Sequence, residues 1–318
     1  MASNGVKIPI IDLSSPELKQ GTKQWESTKI QVLEALQEYG CFEAIYDKVP
    51  SEIREAMFGT SKEIFEFPLE TKLKNFSEKP FDGYKGQVPF LPLYESLSIS
   101  DLPKPQGVET FANIFWPENG NLDFCNLVRS YTKLLMELDE MVKKMILESL
   151  GMINYIDEFL DPNSSFYFRF TRYKAPKSDE DRNKLGLIGH TDGNFMTIIS
   201  QNQVNGLQIL KKNGEWIDAN VSPNSYVVLS GDSFMAWTNG RLYSPVHRVT
   251  MAGESDRFSI QLFSLPKPGY NIEAPKELVD EEHPLLFKPF EIQGLFEYVT
   301  SAVGYKADAG AFKAYCGV

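Results

Sequence analysis

The sequence predicts an α+β protein with a β-dominated core, in which a helical front half wraps around short strands. Two observations carry that reading. Up to about residue 160, apolar residues recur at helical spacing. From about Ser165 the texture changes to short aromatic and β-branched runs separated by glycine turns, which suits a sandwich or barrel. Neither a repeat nor a linker-like stretch divides the 318 residues. They read as a single compact unit: 1–160 mainly helical, 161–270 the β core, and 271–318 a C-terminal helix and tail.

Lys7–Leu13 is a short β-like run that Pro9 pushes towards a sheet edge. Trp25–Tyr39 carries a helical stripe of Leu33, Leu36 and Tyr39, with Gly40 as its stop. A second helix is expected over Ser51–Phe65. The clearest helix has Leu127, Tyr131, Leu134, Leu138, Met141 and Met145 along one stripe, closed by Gly151. Between these last two helices, Asn75–Gly120 holds six prolines, too many for regular structure, and reads as a lid or pocket wall.

Strands are expected at Phe166–Phe170, Gly206–Leu210, Glu215–Ile217, Tyr226–Leu229 and Arg257–Leu265. Asn213-Gly214 marks a hairpin, and Asn239-Gly240 a second turn. A last helix is expected from Phe290 to about Ser301.

Composition narrows the function. The balance of 32 basic against 43 acidic residues leaves −11, a field that repels a phosphate backbone and excludes nucleic acid as the expected partner. No run approaches the length of a membrane span, and the first residues lack the layout of a secretory signal. The three scattered cysteines suit a reducing compartment, so the expected address is cytoplasmic.

There are three histidines, and their placement is informative. His190-Thr191-Asp192 puts an imidazole and a carboxylate two residues apart, which on extended chain turns them to the same face. His247, in Ser244–Val249, reads as a strand able to lie beside them. Two imidazoles and one carboxylate with open coordination positions make the facial triad that suits Fe(II) and dioxygen chemistry. His283, in a polar turn, is read as structural. Ten residues after His247, Arg257-Phe258-Ser259 turns a guanidinium and a hydroxyl to one strand face, a clamp for the carboxylate of an acidic co-substrate whose other end chelates the metal.

Together with Gly231-Asp232, Asn239-Gly240-Arg241 and Ser244–Val249, these motifs resemble the plant 2-oxoglutarate/Fe(II)-dependent dioxygenases. Ile8–Leu13 and Phe65–Leu69 resemble that family's N-terminal region, so the likeness spans the whole chain. Glu38–Ala44, Phe234–Trp237 and Glu277–Phe287 resemble the subgroup of glucosinolate side-chain-modifying dioxygenases and deoxypodophyllotoxin synthase.

The resemblance implies a distorted double-stranded β-helix, or jelly roll, flanked by N- and C-terminal helices. It implies Fe(II) on His190, Asp192 and His247, 2-oxoglutarate on Arg257 and Ser259, dioxygen as oxidant and ascorbate as reductant. It also implies a co-substrate contact from Tyr173, the tyrosine of an Asn-x-Tyr motif that here reads Thr171-Arg172-Tyr173. Tyr46-Asp47-Lys48 stands where the family has Asn-His-Gly, a scaffold segment. Hydrogen abstraction would lead to hydroxylation, desaturation, ring closure or dealkylation, according to how the substrate is held.

The expected partner is a small, largely apolar plant metabolite bound by a monomer. Phe90, Leu93, Phe111, Phe115, Phe312 and Tyr315, from the proline-rich segment and the C-terminal tail, form the pool of pocket candidates. Two other readings compete. A non-catalytic small-molecule binder on the same scaffold would need neither open iron site nor clamp, and would release no succinate. A zinc hydrolase would leave Arg257 and Ser259 without a role.

Overall fold

A computed structural model describes residues 7–100, 102, 104–160, 165–178, 185–301 and 310–318. Residues 1–6, Pro103 and residues 302–309 of the expected tail lie outside the described residues. The strands form two main sheets. The larger runs in the order β1 (Ile10–Asp12), β2 (Cys41–Ile45), β9 (Ser225–Ser230), β6 (Met196–Gln201), β11 (Arg257–Leu265), β4 (Ser165–Tyr173), β3 (Tyr94–Ile99). The smaller runs β5 (Leu185–His190), β10 (His247–Thr250), β7 (Leu207–Leu210), β8 (Trp216–Asp218). A two-stranded ribbon joins β12 (Asn271–Ile272) to β13 (Phe290–Glu291).

Strand alternation divides the larger sheet between two jobs. Phe168 and Phe170 of β4, Phe258, Ile260 and Leu262 of β11, and Met196 and Ile198 of β6 enter one apolar core with the helices. The intervening residues Arg169, Thr171, Tyr173, Arg257, Ser259, Gln261, Thr197 and Ile199 face a pocket whose other wall is Leu187, His190, Leu207, His247 and Val249 of the smaller sheet. A jelly roll built in this way has a greasy back and a polar interior.

The back is covered by α1 (Lys23–Glu38), α2 (Ser51–Glu66), α4 (Pro105–Phe115) and the long α5 (Leu122–Ser149), with short α3 (Leu69–Lys72) and α6 (Ile156–Phe159) beside them. Thr22 caps α1 through the Trp25 amide, and Gly40, at φ +69°, ends it where a Cβ would stand 2.3 Å from the Tyr243 carbonyl. The most buried stripe of α5 is Val128, Tyr131, Leu135, Leu138, Val142 and Met145, turned by one position from the expected stripe, with Leu127, Leu134 and Met141 only partly covered. Lys143 belongs to this buried side. Its ammonium meets Asp139 at 2.7 Å and lies over the rings of Phe166 and Phe195.

The expectation for Asn75–Gly120 needs correction. Tyr94–Ile99 forms a wholly buried strand and Pro105–Phe115 a helix. Proline breaks a helix only where it removes an amide that has a partner. Pro105 opens α4, whose first amides have none, and β3 contains no proline. The expected turn at Asn239-Gly240 follows a short helix, α7 (Asp232–Trp237). The last helices are α8 (Ile292–Thr300) and α9 (Ala311–Cys316).

Candidate metal centre

β5 and β10 pair antiparallel with His190 opposite His247, which brings the two rings to 4.2 Å between centroids. Asp192 lies just beyond the end of β5. Its carboxylate joins the histidines from this position, two residues after His190. One donor atom from each residue lies within 4.8 Å of the others. Nε2 of His190 and of His247 stand 3.7 and 3.8 Å from Asp192 Oδ1.

Neighbouring groups fix which atoms face inward. Nδ1 of His190 donates to the Ile188 carbonyl at 2.9 Å and Nδ1 of His247 to the Pro245 carbonyl at 3.2 Å, because a carbonyl can only accept. Both Nε2 lone pairs are thereby left for a ligand. Thr197 donates to Asp192 Oδ2 at 2.6 Å, which leaves Oδ1 for the same point. Gly231 packs under this turn, where a Cβ would stand 2.1 Å from the Asn194 carbonyl and 2.8 Å from that of Asp192. The Asp232 amide also holds the Asp192 carbonyl, at 2.7 Å. Burial pushes the Asp232 carboxyl up to about 7, and it accepts the Thr191 hydroxyl.

Electrostatics agree with a cation site. Confinement in the pocket, and then the adjacent His247, push His190 down to about 4, so its imidazole is neutral at pH 7. Burial alone would raise Asp192, but the two imidazoles and Thr197 hold it below the ordinary carboxylate value. Two imidazole nitrogens and one carboxylate oxygen, converging on one point, fit Fe(II).

Arg257, Ser259 and Tyr173 line the same pocket. The β11–β4 register places Arg257 opposite Tyr173, and the guanidinium lies 5.1 Å from the centroid of the tyrosine ring. Arg257 is 1% exposed and its terminal nitrogens reach Gln201 Oε1 at 2.8 Å and Ser259 Oγ at 3.3 Å, while Nε is buried without a partner. Ser259 Oγ accepts from Arg257 and from Gln261 Nε2, at 2.7 Å. With both lone pairs engaged, its own proton is left to donate, and the Tyr173 hydroxyl lies within its reach. A buried cation with an open donor, beside a hydroxyl turned outward, fits a carboxylate. Burial pushes the Tyr173 phenol up, so it stays neutral. Thr171, in place of the family's asparagine, donates to Gln261 Oε1 at 3.1 Å.

None of the six aromatic or apolar pocket candidates lines this pocket. Phe111 and Phe115 are stacked with Phe124, Phe170 and Phe67 in the helical core. Phe312 and Tyr315 pack on Phe290, Leu93 is buried, and Phe90 is exposed. Phe81, from the proline-rich segment, meets Phe296 of α8 edge to face at 5.5 Å, and Phe296 sits against Gly193, next to Asp192. Arg169, Gln201, Gln261 and Thr197 were also missed. Alternation from Tyr173 and Ser259 places Arg169, Thr171 and Gln261 on the inner face. His283 bonds Asp280 in an exposed turn, as expected of a structural histidine.

The family model of the 2OG-Fe(II) oxygenase superfamily matches residues 162–266, and that of the non-haem dioxygenase N-terminal region, described from morphine synthesis, matches residues 8–119. The probable 2-oxoglutarate-dependent dioxygenase AOP1.2 of Arabidopsis thaliana is 43% identical over 97% of this chain and 96% of its own length. Among solved structures, the rice dioxygenase for auxin oxidation superposes with a TM-score of 0.81 at 27% identity, covering 98% of this chain and 100% of that one. The Arabidopsis thaliana dioxygenase for auxin oxidation 1, in complex with 2-oxoglutarate, gives 0.77 at 29% identity, over 87% of this chain and 99% of that one.

Proposed function

The chain belongs to the 2OG-Fe(II) oxygenase superfamily, and from that premise we propose which residues do the work: His190, Asp192 and His247 hold Fe(II), and Arg257, Ser259 and Tyr173 hold 2-oxoglutarate. It is a 2-oxoglutarate-dependent dioxygenase that acts on a small molecule. Bound at the triad, Fe(II) supplies dioxygen activation coupled to the oxidative decarboxylation of 2-oxoglutarate to succinate and CO₂.

The chain's own residues bind, orient and exclude. The Ile188 and Pro245 carbonyls and Thr197 aim the three ligand atoms. Arg257 and Ser259 grip the far carboxylate of 2-oxoglutarate, and Tyr173 supports the guanidinium from its face. Leu187, Ile199, Leu207 and Val249 keep water from the co-substrate. The single observation that carries this reading is that the triad and the clamp face one pocket from opposite sheets.

The substrate is a small specialised metabolite with a largely apolar body, a reading supported by Phe263 in the pocket wall and Phe81 against Phe296 beside it. Which carbon it presents decides among hydroxylation, desaturation, ring closure and dealkylation. Both sheets share the site while the helices cover its back, which supports one compact unit. Among the described residues no helix is long and apolar enough to cross a membrane. The cysteines Cys41, Cys125 and Cys316 are buried and unbridged, which supports the cytoplasm.

The test is succinate release with Fe(II), 2-oxoglutarate and oxygen. We expect His190→Ala, Asp192→Ala and His247→Ala each to abolish it. Full turnover by any of them contradicts the assignment.

A further inference from the structure

Among the described residues lining the pocket, the cations are Arg257 and Arg169. Several buried and half-buried cations elsewhere are paired with acids, Lys72 with Glu95, Lys143 with Asp139 and Arg172 with Asp256 and Glu66, whereas buried Arg54 bonds only Asn224 and the Gln201 carbonyl. Among the described residues neither pocket arginine forms an ion pair with an acid. Arg169 gives one terminal nitrogen to the Phe81 carbonyl at 2.8 Å and touches the Tyr167 hydroxyl at 3.5 Å, between the rings of Tyr167 and Phe263. Its Nε is buried without a hydrogen-bond partner. Among the described residues no carboxylate makes an ion pair with it. Asp82, beside Phe81 in the chain, is engaged by Ser98, Ser100 and the Gly83 amide.

Position separates the roles of the two arginines. Tyr173, opposite Arg257, and Arg169, opposite Gln261, are four residues apart on β4, about 13 Å along the strand. The clamp therefore lies at one end of the inner face, and Arg169 towards the end where Tyr167 pairs with Phe263. One 2-oxoglutarate cannot occupy both. Charge points the same way. With Fe(II) and the dianion of 2-oxoglutarate in place, the positive charges of metal, Arg257 and Arg169 exceed the negative charges of Asp192 and co-substrate by one. Confining an unmatched guanidinium is costly unless an anion joins it.

We propose that the substrate carries an anionic oxygen headgroup, a carboxylate or a sulfate ester, and that Arg169 receives it. This rests on the metal and co-substrate assignment above and adds the substrate class. It also qualifies the largely apolar body: Tyr167 and Phe263 flank the guanidinium, so an apolar or planar frame behind the charged head meets aromatic walls. Arg169 is a specificity residue, since it orients the substrate relative to the metal without entering the chemistry.

The test is calorimetry under anaerobic conditions on wild type, Arg169→Gln and Arg169→Lys, each loaded with Fe(II) and 2-oxoglutarate. The probes are matched pairs: 3-phenylpropionate with 3-phenylpropionamide, and 2-phenylethyl sulfate with 2-phenylethanol. Wild type should bind at least one anion about tenfold or more tighter than its neutral partner, about 1.4 kcal/mol. That preference should fall below about threefold in Arg169→Gln and be partly kept in Arg169→Lys, with 2-oxoglutarate affinity unchanged in both. Equal binding of anion and neutral partner by wild type in both pairs overturns the proposal. So does a preference that survives Arg169→Gln, or a loss of 2-oxoglutarate binding in that variant. A wild type that takes up neither Fe(II) nor 2-oxoglutarate would instead overturn the underlying assignment.

Discussion

Replacing Arg257 by alanine tests the clamp quantitatively. The guanidinium is 1% exposed and bonds Gln201 and Ser259, and among the described residues no acid forms an ion pair with it. On the proposed assignment, bound co-substrate is its counter-ion. Removing one partner of a buried charge pair costs about 3–5 kcal/mol, because the remaining charge is left uncompensated. At about 1.4 kcal/mol per factor of ten, that weakens 2-oxoglutarate binding by roughly two to three and a half orders of magnitude. Arg257→Lys should fall between, since it keeps the charge and loses the two-pronged fork. The ligand-free protein should be destabilised far less, because an unmatched buried cation contributes little to the fold. The assay is anaerobic titration of the Fe(II) protein with 2-oxoglutarate, beside a thermal melt without it. A 2-oxoglutarate Kd within about threefold of wild type, in a folded Arg257→Ala, refutes the clamp.

Further predictions follow from single contacts. Thr197→Val removes the 2.6 Å hydrogen bond that aims Asp192 and should weaken metal affinity about 10–100-fold, read by competition with a chelating dye. Gly231→Ala puts a Cβ against the Asn194 and Asp192 carbonyls, should cost about 1–3 kcal/mol, and should lower the melting temperature by several degrees; an unchanged melt would show that the turn yields freely. Glu95 is buried between Lys72 at 2.8 Å and Lys174, and although burial alone would raise it, the two lysines hold its carboxyl below the ordinary 4.5. A depressed carboxyl contributes stability above its unfolded value and loses it as pH falls through the folded value. Glu95→Gln should thus cost about 3 kcal/mol at pH 7, and the gap to wild type should close as pH falls below the ordinary carboxylate range; a gap independent of pH counts against the pairing.

Much of the site was legible because strands have period two. Arg257 and Ser259 share a face for that reason alone, and the strand Arg257–Leu265 has the expected bounds. His190 and Asp192 lie in one cluster although β5 ends at His190. That His247 stands opposite His190 is a matter of register between distant strands, which no local pattern encodes. Half of the expected α5 stripe, Tyr131, Leu138 and Met145, is fully buried, while Leu127, Leu134 and Met141 are displaced by Val128, Leu135 and Val142 because Asp139 and Lys143 lie on the buried side, where charge normally marks the solvent face. The aromatic pool failed because Phe111 and Phe115 serve the core between helices. Proline counting missed β3 and α4 because position, not number, decides what proline breaks. Arg169 was reachable by alternation, but its lack of an acid partner is visible only in three dimensions.

The most direct measurement of the central claim is equilibrium Fe(II) binding under anaerobic conditions, with and without 2-oxoglutarate, for wild type and Asp192→Ala. The account predicts one Fe(II) per wild-type chain, bound more tightly when 2-oxoglutarate is present, and loss of both the site and that enhancement in the variant. Iron bound equally well by Asp192→Ala, or a wild-type iron affinity indifferent to 2-oxoglutarate, would contradict it.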